Sequence, residues 1–219
     1  MKMAVRVEVW GGYACFTRPE MKVERVSYDV MPPSAARGLL EAIYWHPGMK
    51  WRIDKIYVLN PIAFTNIRRN EVKSKISARN VSRAMKGDHS PLFISTSNDI
   101  QQRAMMALRD VRYVIEAHFE MSDQASGADN QGKFSDIIRR RLQKGQCYHQ
   151  PCFGCREFPA HFRRWEDASV PTAYPDRDID LGFMLFDMDY SDSSNITPMF
   201  FRGYLEKGVL DVRDCEVYR

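Results

Sequence analysis

The chain has 219 residues, 44% of them hydrophobic, a formal charge of +4 and five cysteines. That length allows one domain, or a domain with a smaller companion, and its apolar content supports an ordinary core, which excludes a disordered or collagen-like chain. No apolar run approaches the roughly 18 residues of a membrane span, and an odd number of cysteines argues against a disulfide framework, so the expected setting is cytoplasmic, with no membrane.

Val5, Val7 and Val9 alternate with Arg6, Glu8 and Trp10, the period-two pattern of a half-buried strand. Charges within this stretch make it a strand rather than a signal peptide. Pro33 suits the first turn of a helix, and Ala36, Leu39, Leu40 and Ile43 form one apolar stripe, stopped by Pro47-Gly48. The tip of this helix carries Tyr44, Trp45 and His46, and the loop before it carries Arg18 and Lys22. Rings that stack on bases and cations that meet phosphates make this tip a candidate nucleic-acid surface.

Trp51 to Leu59 reads as a second strand. The segment from about 65 to 105 is too long for a tight turn. Between Arg68 and Lys86 it holds seven cations (Arg68, Arg69, Lys73, Lys75, Arg79, Arg83, Lys86) against Glu71. A projecting basic arm or hairpin is expected there, with Arg68, Arg69, Lys73 and Lys75 as phosphate contacts. Val111, Tyr113, Ile115, Ala117, Phe119 and Met121 alternate as a third strand. Phe134, Ile137, Ile138 and Leu142 make a second helical stripe closed by Gly145. Arg139 and Arg140 sit off that stripe, in reach of phosphates. An acidic loop from Trp165 to Asp180 precedes strand candidates near 181–190, 197–206 and 208–213.

The order β-α-β, insertion, β-α-β is that of a ferredoxin-like split unit. The expectation is an α+β chain: a ferredoxin-like βαββαβ domain over 1–145, with its basic arm, and a small antiparallel β-sheet domain over 146–219.

Few residues suit chemistry. His118 lies on the polar row of the third strand with Arg112, Glu116 and Glu120, and an imidazole suits proton transfer near neutral pH. Cys152 and Cys155 have the spacing of half a zinc ribbon, but no second such pair exists. Asp187 and Asp189 share a strand face, as a magnesium-binding pair or as solvated carboxylates.

The segments Val9-Trp-Gly-Gly-Tyr-Ala-Cys-Phe-Thr-Arg-Pro-Glu20, Pro32 to Trp45, Arg69 to Ser77, Leu108 to Glu120, Gly154-Cys-Arg-Glu-Phe-Pro159 and Asp180 to Tyr190 resemble the CRISPR-associated Cas family five, subtype d. That family holds the RNA-processing subunit of type I-C systems in the RAMP superfamily. The resemblance implies the same two-part fold. It implies an endoribonuclease without cofactor or metal that binds the repeat stem-loop of precursor CRISPR RNA. Such an enzyme cuts at the 3′ base of the stem by 2′-hydroxyl attack, leaves a 2′,3′-cyclic phosphate, and caps the 5′ handle among the interference-complex subunits. Tyr44 and His118 take the catalytic positions, and the Gly154 block is structural. A lysine is expected beside the histidine, but Ile115, Glu116 and Ala117 stand there; Lys73 and Lys75 are the substitutes. Two alternatives stay open: a non-catalytic subunit that binds the RNA handle, and a subunit that binds double-stranded DNA or cuts nucleic acid with a metal.

Overall fold

The computed structural model describes residues 4–21, 23–192 and 194–219. Lys22, one of the expected phosphate contacts, lies outside the described residues. The chain mixes a mostly antiparallel sheet with few helices.

β1 (Val5–Ala14) buries Val7 and Val9 on one face. After the short β2 (Arg25–Val26), α1 (Pro33–Ile43) opens on its proline and buries Ala36, Leu39, Leu40 and Ile43, the expected stripe. At its far end the Trp51 indole donates to the Tyr44 carbonyl at 2.9 Å, and Arg141 donates to the Ile43 carbonyl. These donors satisfy two carbonyls that a helix end leaves open, and the cation suits the negative end of the helix dipole.

β3 (Met49–Val58) follows, then β4 (Phe64–Val72), α2 (Ala78–Met85) and β5 (Ile100–Met121). β5 is a single strand that changes partners along its length. Residues 100–108 pair with β4, 108–117 with β1, and 113–121 with β3. The expected arm is therefore the β4–β5 hairpin, roughly 30 Å long at about 3.3 Å per residue, with α2 between its strands and no residue of α2 buried. The hairpin leaves the main sheet beside Asp110, whose φ of 53° interrupts the regular backbone and whose carbonyl accepts from Asn60 Nδ2 at 2.7 Å.

α3 (Gln131–Lys144) is capped by the Asn130 side chain and ended by Gly145 in the left-handed region, φ 63°. It buries Phe134, Ile138 and Leu142. The Phe134 ring meets Phe119 of β5 at 6.1 Å, and Phe119 meets Trp51 at 6.0 Å. Both helices thus lie on the sheet face that holds Val7, Val9, Ile115 and Ala117. Each fully buried aliphatic or phenyl side chain there contributes about 1.5–3 kcal/mol.

β6 (His161–Arg164) pairs with β1, so the strand order is β6-β1-β5-β3. The sheet continues from β3 into β9 (Val209–Asp211), β8 (Thr197–Glu206) and β10 (Val217–Tyr218), with β7 (Ile179–Asp189) on the other side of β8. The Arg37 guanidinium of α1 clamps both Asp187 oxygens, at 2.9 and 2.8 Å, and ties the first helix to β7. This overturns the reading of Asp187 and Asp189 as a magnesium pair: Asp187 is occupied by Arg37, and Asp189 pairs with Arg219 at 3.2 Å. Among the described residues no helix is long and apolar enough to cross a membrane.

The Gly154 block folds as a tight turn against the end of β1, where the Cys15 amide donates to the Phe153 carbonyl at 3.0 Å. Gly154 has φ 79°, and a Cβ there would lie 2.0 Å from the Cys15 carbonyl oxygen. Gly154→Ala combines that clash with a backbone conformation that L residues avoid. It is expected to cost about 2 kcal/mol or more and to lower the melting temperature by about 5 °C or more. Thermal unfolding by circular dichroism tests this; an unchanged melting temperature would show that the turn relaxes freely.

Candidate nucleic-acid interface

The sheet face away from the helices carries the polar row of β5, as the strand alternation implied. Each member is held by a partner. Arg112 donates to Glu8 at 2.6 Å, Arg6 donates to Glu116 at 2.6 Å, and Arg52 donates to Glu120 at 2.9 Å. His118 meets Asp54 through Nδ1 at 2.9 and 3.0 Å, and its Nε2 lies 3.8 Å from Glu120. Asp54 sits at a register shift in β3, and Arg52 is directly opposite His118 in the ladder. The site therefore offers an imidazole oriented by a carboxylate, with a guanidinium beside it. Asp54 and Arg52 escaped the sequence reading, although their alternation with Trp51 and Ile53 placed them on the polar face.

The loop after β6 runs from β1 towards β3. The Trp165 amide donates to the Arg6 carbonyl at 3.0 Å, Arg6 Nη1 donates to the Ala168 carbonyl at 2.8 Å, and the Ala173 amide donates to the Val58 carbonyl at 2.9 Å. The acidic loop is thereby anchored at both sides of β5.

Tyr44 lies on the other side of the sheet. It is 6% exposed, packs on Phe134 at 6.1 Å, and has the Arg141 guanidinium 5.0 Å over its ring. Burial pushes its hydroxyl pKa up, against the pull of Arg141 and Lys133. The structure does not bring Tyr44 and His118 together: Phe119, which faces the helices, separates their faces. It does bring the helix tip to α3. Trp45 is 57% exposed beside a helix whose Arg139 and Arg140 are both exposed, Arg139 being paired with Asp136 at 2.7 Å.

On the arm, Arg68, Lys73 and Lys75 are exposed. Arg69 is not available in the same way: it pairs with Glu71 and reaches Glu157 at 2.8 Å. Arg18 is likewise engaged, with Asp29 at 2.8 Å and the Tyr28 ring at 4.8 Å. Lys73 and Lys75 cannot stand in for a lysine beside His118. Val72 is level with Ile100, and the stretch from Ile100 to His118 is roughly 60 Å of strand at about 3.3 Å per residue.

Among the described residues no three His, Cys, Asp or Glu side chains gather in a metal-sized cluster. Cys155 lies instead beside Arg25, whose Nη1 is 3.4 Å from its sulfur. A hydrogen bond from Cys15, together with Arg25, draws the Cys155 thiol below its ordinary range.

Residues 4–213 match the family model for the CRISPR-associated protein Cas5, subtype d. The chain belongs to the Cas5d family. It is 51% identical over 217 residues to the CRISPR pre-crRNA endoribonuclease Cas5d of Mannheimia succiniciproducens, covering 97% of this chain and 96% of that protein. Its identity to the enzyme of the same name from Thermus thermophilus is 38% over 235 residues, covering 98% and 95%. The fold is similar to the crystal structure of a CRISPR-associated protein, with TM-score 0.72 at 21% identity over 100% of this chain and 97% of that one. It is also similar, at TM-score 0.50 and 13% identity, to a chain of a CRISPR RNA-guided surveillance complex, covering 99% and 89%.

For this Cas5d member the exposed arm cations are expected to set nucleic-acid affinity. Replacing Arg68, Lys73 and Lys75 with alanine should weaken binding to RNA and to duplex DNA. Each lost contact should flatten the salt dependence by up to about 0.9 on a duplex and about 0.7 on a single strand. Arg69→Ala should instead leave the salt slope unchanged and lower the melting temperature only slightly, because Glu71 keeps Arg103 at 3.3 Å and the Glu157 side chain that loses Arg69 is 63% exposed. Anisotropy titrations over a salt series, with melting curves alongside, separate the two effects. An unchanged slope in the triple variant would show that the arm touches no phosphate.

Proposed function

We propose that this chain is a metal-independent endoribonuclease that binds the repeat stem-loop of precursor CRISPR RNA and cuts at its 3′ base. The observation that carries the reading is the family match over residues 4–213, together with two relatives named for that activity. The order β6-β1-β5-β3 supports reading the larger unit as ferredoxin-like. A division near residue 145 belongs to the same reading, with β6 returning from the later part to complete the first sheet. So do a cytoplasmic setting and a place on the 5′ handle in a type I-C interference complex.

The chemistry starts from the substrate. The 2′-hydroxyl oxygen attacks the adjacent phosphorus, a P–O2′ bond forms, and the P–O5′ bond breaks. The products are a 2′,3′-cyclic phosphate and a free 5′-hydroxyl. One proton leaves the 2′-hydroxyl and one reaches the 5′ oxygen. His118, oriented by Asp54, is the group on the sheet face suited to that transfer. Arg52, across the ladder, is the cation suited to the phosphorane charge once it leaves Glu120. Tyr44, on the helix side, serves the packing of the α1 tip against α3.

The rival reading is a handle-binding subunit without catalysis. It is favoured by the absence of a lysine at 115–117 and by the engagement of Arg52 with Glu120. Double-stranded DNA as a further ligand rests on the arm charge alone.

Purified protein incubated with its own repeat RNA in EDTA should still cleave, and the upstream product should carry the cyclic phosphate by mass spectrometry. Binding without any cleavage, with or without added metal, would establish the rival; cleavage that needs magnesium would overturn the mechanism.

His118→Ala should slow single-turnover cleavage by roughly 100-fold or more, with Asp54→Asn moving in the same direction. Affinity should hold in both. Tyr44→Phe should lose less than that roughly hundredfold acid–base share. A full loss in Tyr44→Phe with none in His118→Ala would move the scissile phosphate to the helix tip.

A further inference from the structure

Away from His118, the same sheet face carries a second constellation that the cleavage chemistry does not use. Trp10 of β1 stands opposite Arg112 of β5 and His161 of β6, and Glu8 stands opposite Arg163. Glu8 is 1% exposed, although it is a carboxylate on the face without helices. One of its oxygens accepts from Arg112 at 2.6 and 2.5 Å, and the other accepts from Arg163 Nε. A buried charge is costly unless it is fully paired, and here the pairing fixes two guanidiniums whose side chains remain 41% and 61% exposed.

The indole is fixed as well. His161 stacks on Trp10 at 5.6 Å with 25° between the planes, and the Arg163 guanidinium lies 5.6 Å over the ring. Glu8, Trp10, Arg112 and Arg163 line a groove of about 310 Å³. The Trp10 indole is thus one wall of the groove, with the Arg163 guanidinium over its ring, while His161, which stacks on the indole, is not among the walls. That volume is at the small end of ligand pockets.

We propose that this groove is a subsite for one unpaired nucleotide of the bound RNA, its base stacked on Trp10 and its phosphate held by Arg112 and Arg163. The proposal rests on the RNA reading above. An indole and a guanidinium that line one groove can stack on any unpaired base but not on one inside a duplex. Guanidiniums preset by Glu8 offer a phosphate a fork whose ordering cost is already met within the fold. Trp10 and Arg112 are six residues along β5 from His118, roughly 20 Å of strand. The subsite thus acts on the RNA at a distance from the scissile phosphate, and it positions rather than reacts.

The test is a double-mutant cycle on the full-length protein, read as affinity by anisotropy. One arm is Trp10→Ala. The other is the repeat RNA with an abasic nucleotide placed in turn at each unpaired position. Loss of one stacked base is expected to weaken binding roughly fivefold or more. At one position the abasic RNA should cost the wild type that factor and cost Trp10→Ala almost nothing more. Additive losses at every position, or wild-type affinity in Trp10→Ala, would overturn the subsite.

Should Trp10→Ala unfold, 2-aminopurine at the sensitive position supplies a second readout. Its fluorescence should be quenched by the wild type and by Trp10→Phe to different extents; equal quenching overturns the proposal. RNA that is bound and cut with no dependence on Trp10 removes only the groove. RNA that is not bound by the wild type removes the reading of function itself.

Discussion

β5 is the element on which the rest of the molecule depends. Its backbone supplies ladder bonds to β1, β3 and β4 and holds β2 in parallel at Met105 and Met106. A strand shared by so many neighbours must satisfy both faces at once. Its odd-numbered residues from 111 to 119 are buried, while the even row is polar apart from Val114. The same strand continues into the arm, so the arm's direction is set by the main sheet rather than by a loop. The irregular backbone at Asp110 marks where the arm departs from the main sheet.

The charged face is organised by pairing rather than by net sign. Arg6, Arg52, Arg112 and Arg163 each meet a carboxylate, and Glu8 holds two of them while almost wholly buried. Such pairs add modest stability where they are half-exposed. Their larger effect is geometric: a held guanidinium loses less freedom when it meets a phosphate. Arg37 plays a structural version of the same part by fastening α1 to β7 through Asp187.

The two sides of the sheet consequently present different surfaces. One side combines the α1 tip, with exposed Trp45, and the exposed cations of α3. The other offers His118 with Asp54 and, further along, the Trp10 groove, with the acidic loop anchored between Arg6 and Val58. Cations therefore stand on both sides of the sheet, with the acidic loop held across the middle of one of them.

Much of this was legible in the chain. The valines of β1, the stripes of α1 and α3, the glycine that ends α3 and the basic hairpin all follow from local periodicity and turn chemistry, which depend on near neighbours in sequence. The polar row of β5 was legible for the same reason, and with it the face to which His118 points. What the row touches was not. Asp54 reaches His118 because β3 lies beside β5 with a shifted register; Glu157 occupies Arg69 across 88 residues; Arg37 occupies an aspartate that looked fit for a metal. Tyr44 and His118 are paired only by the family resemblance, and in the structure Tyr44 packs on Phe134 on the helix side while His118 lies on the opposite face. Alternation fixes which way a side chain leaves its own strand. Only the packing of helices onto one face, and the register between distant strands, decides which side chains meet, because those contacts depend on the closure of the whole chain.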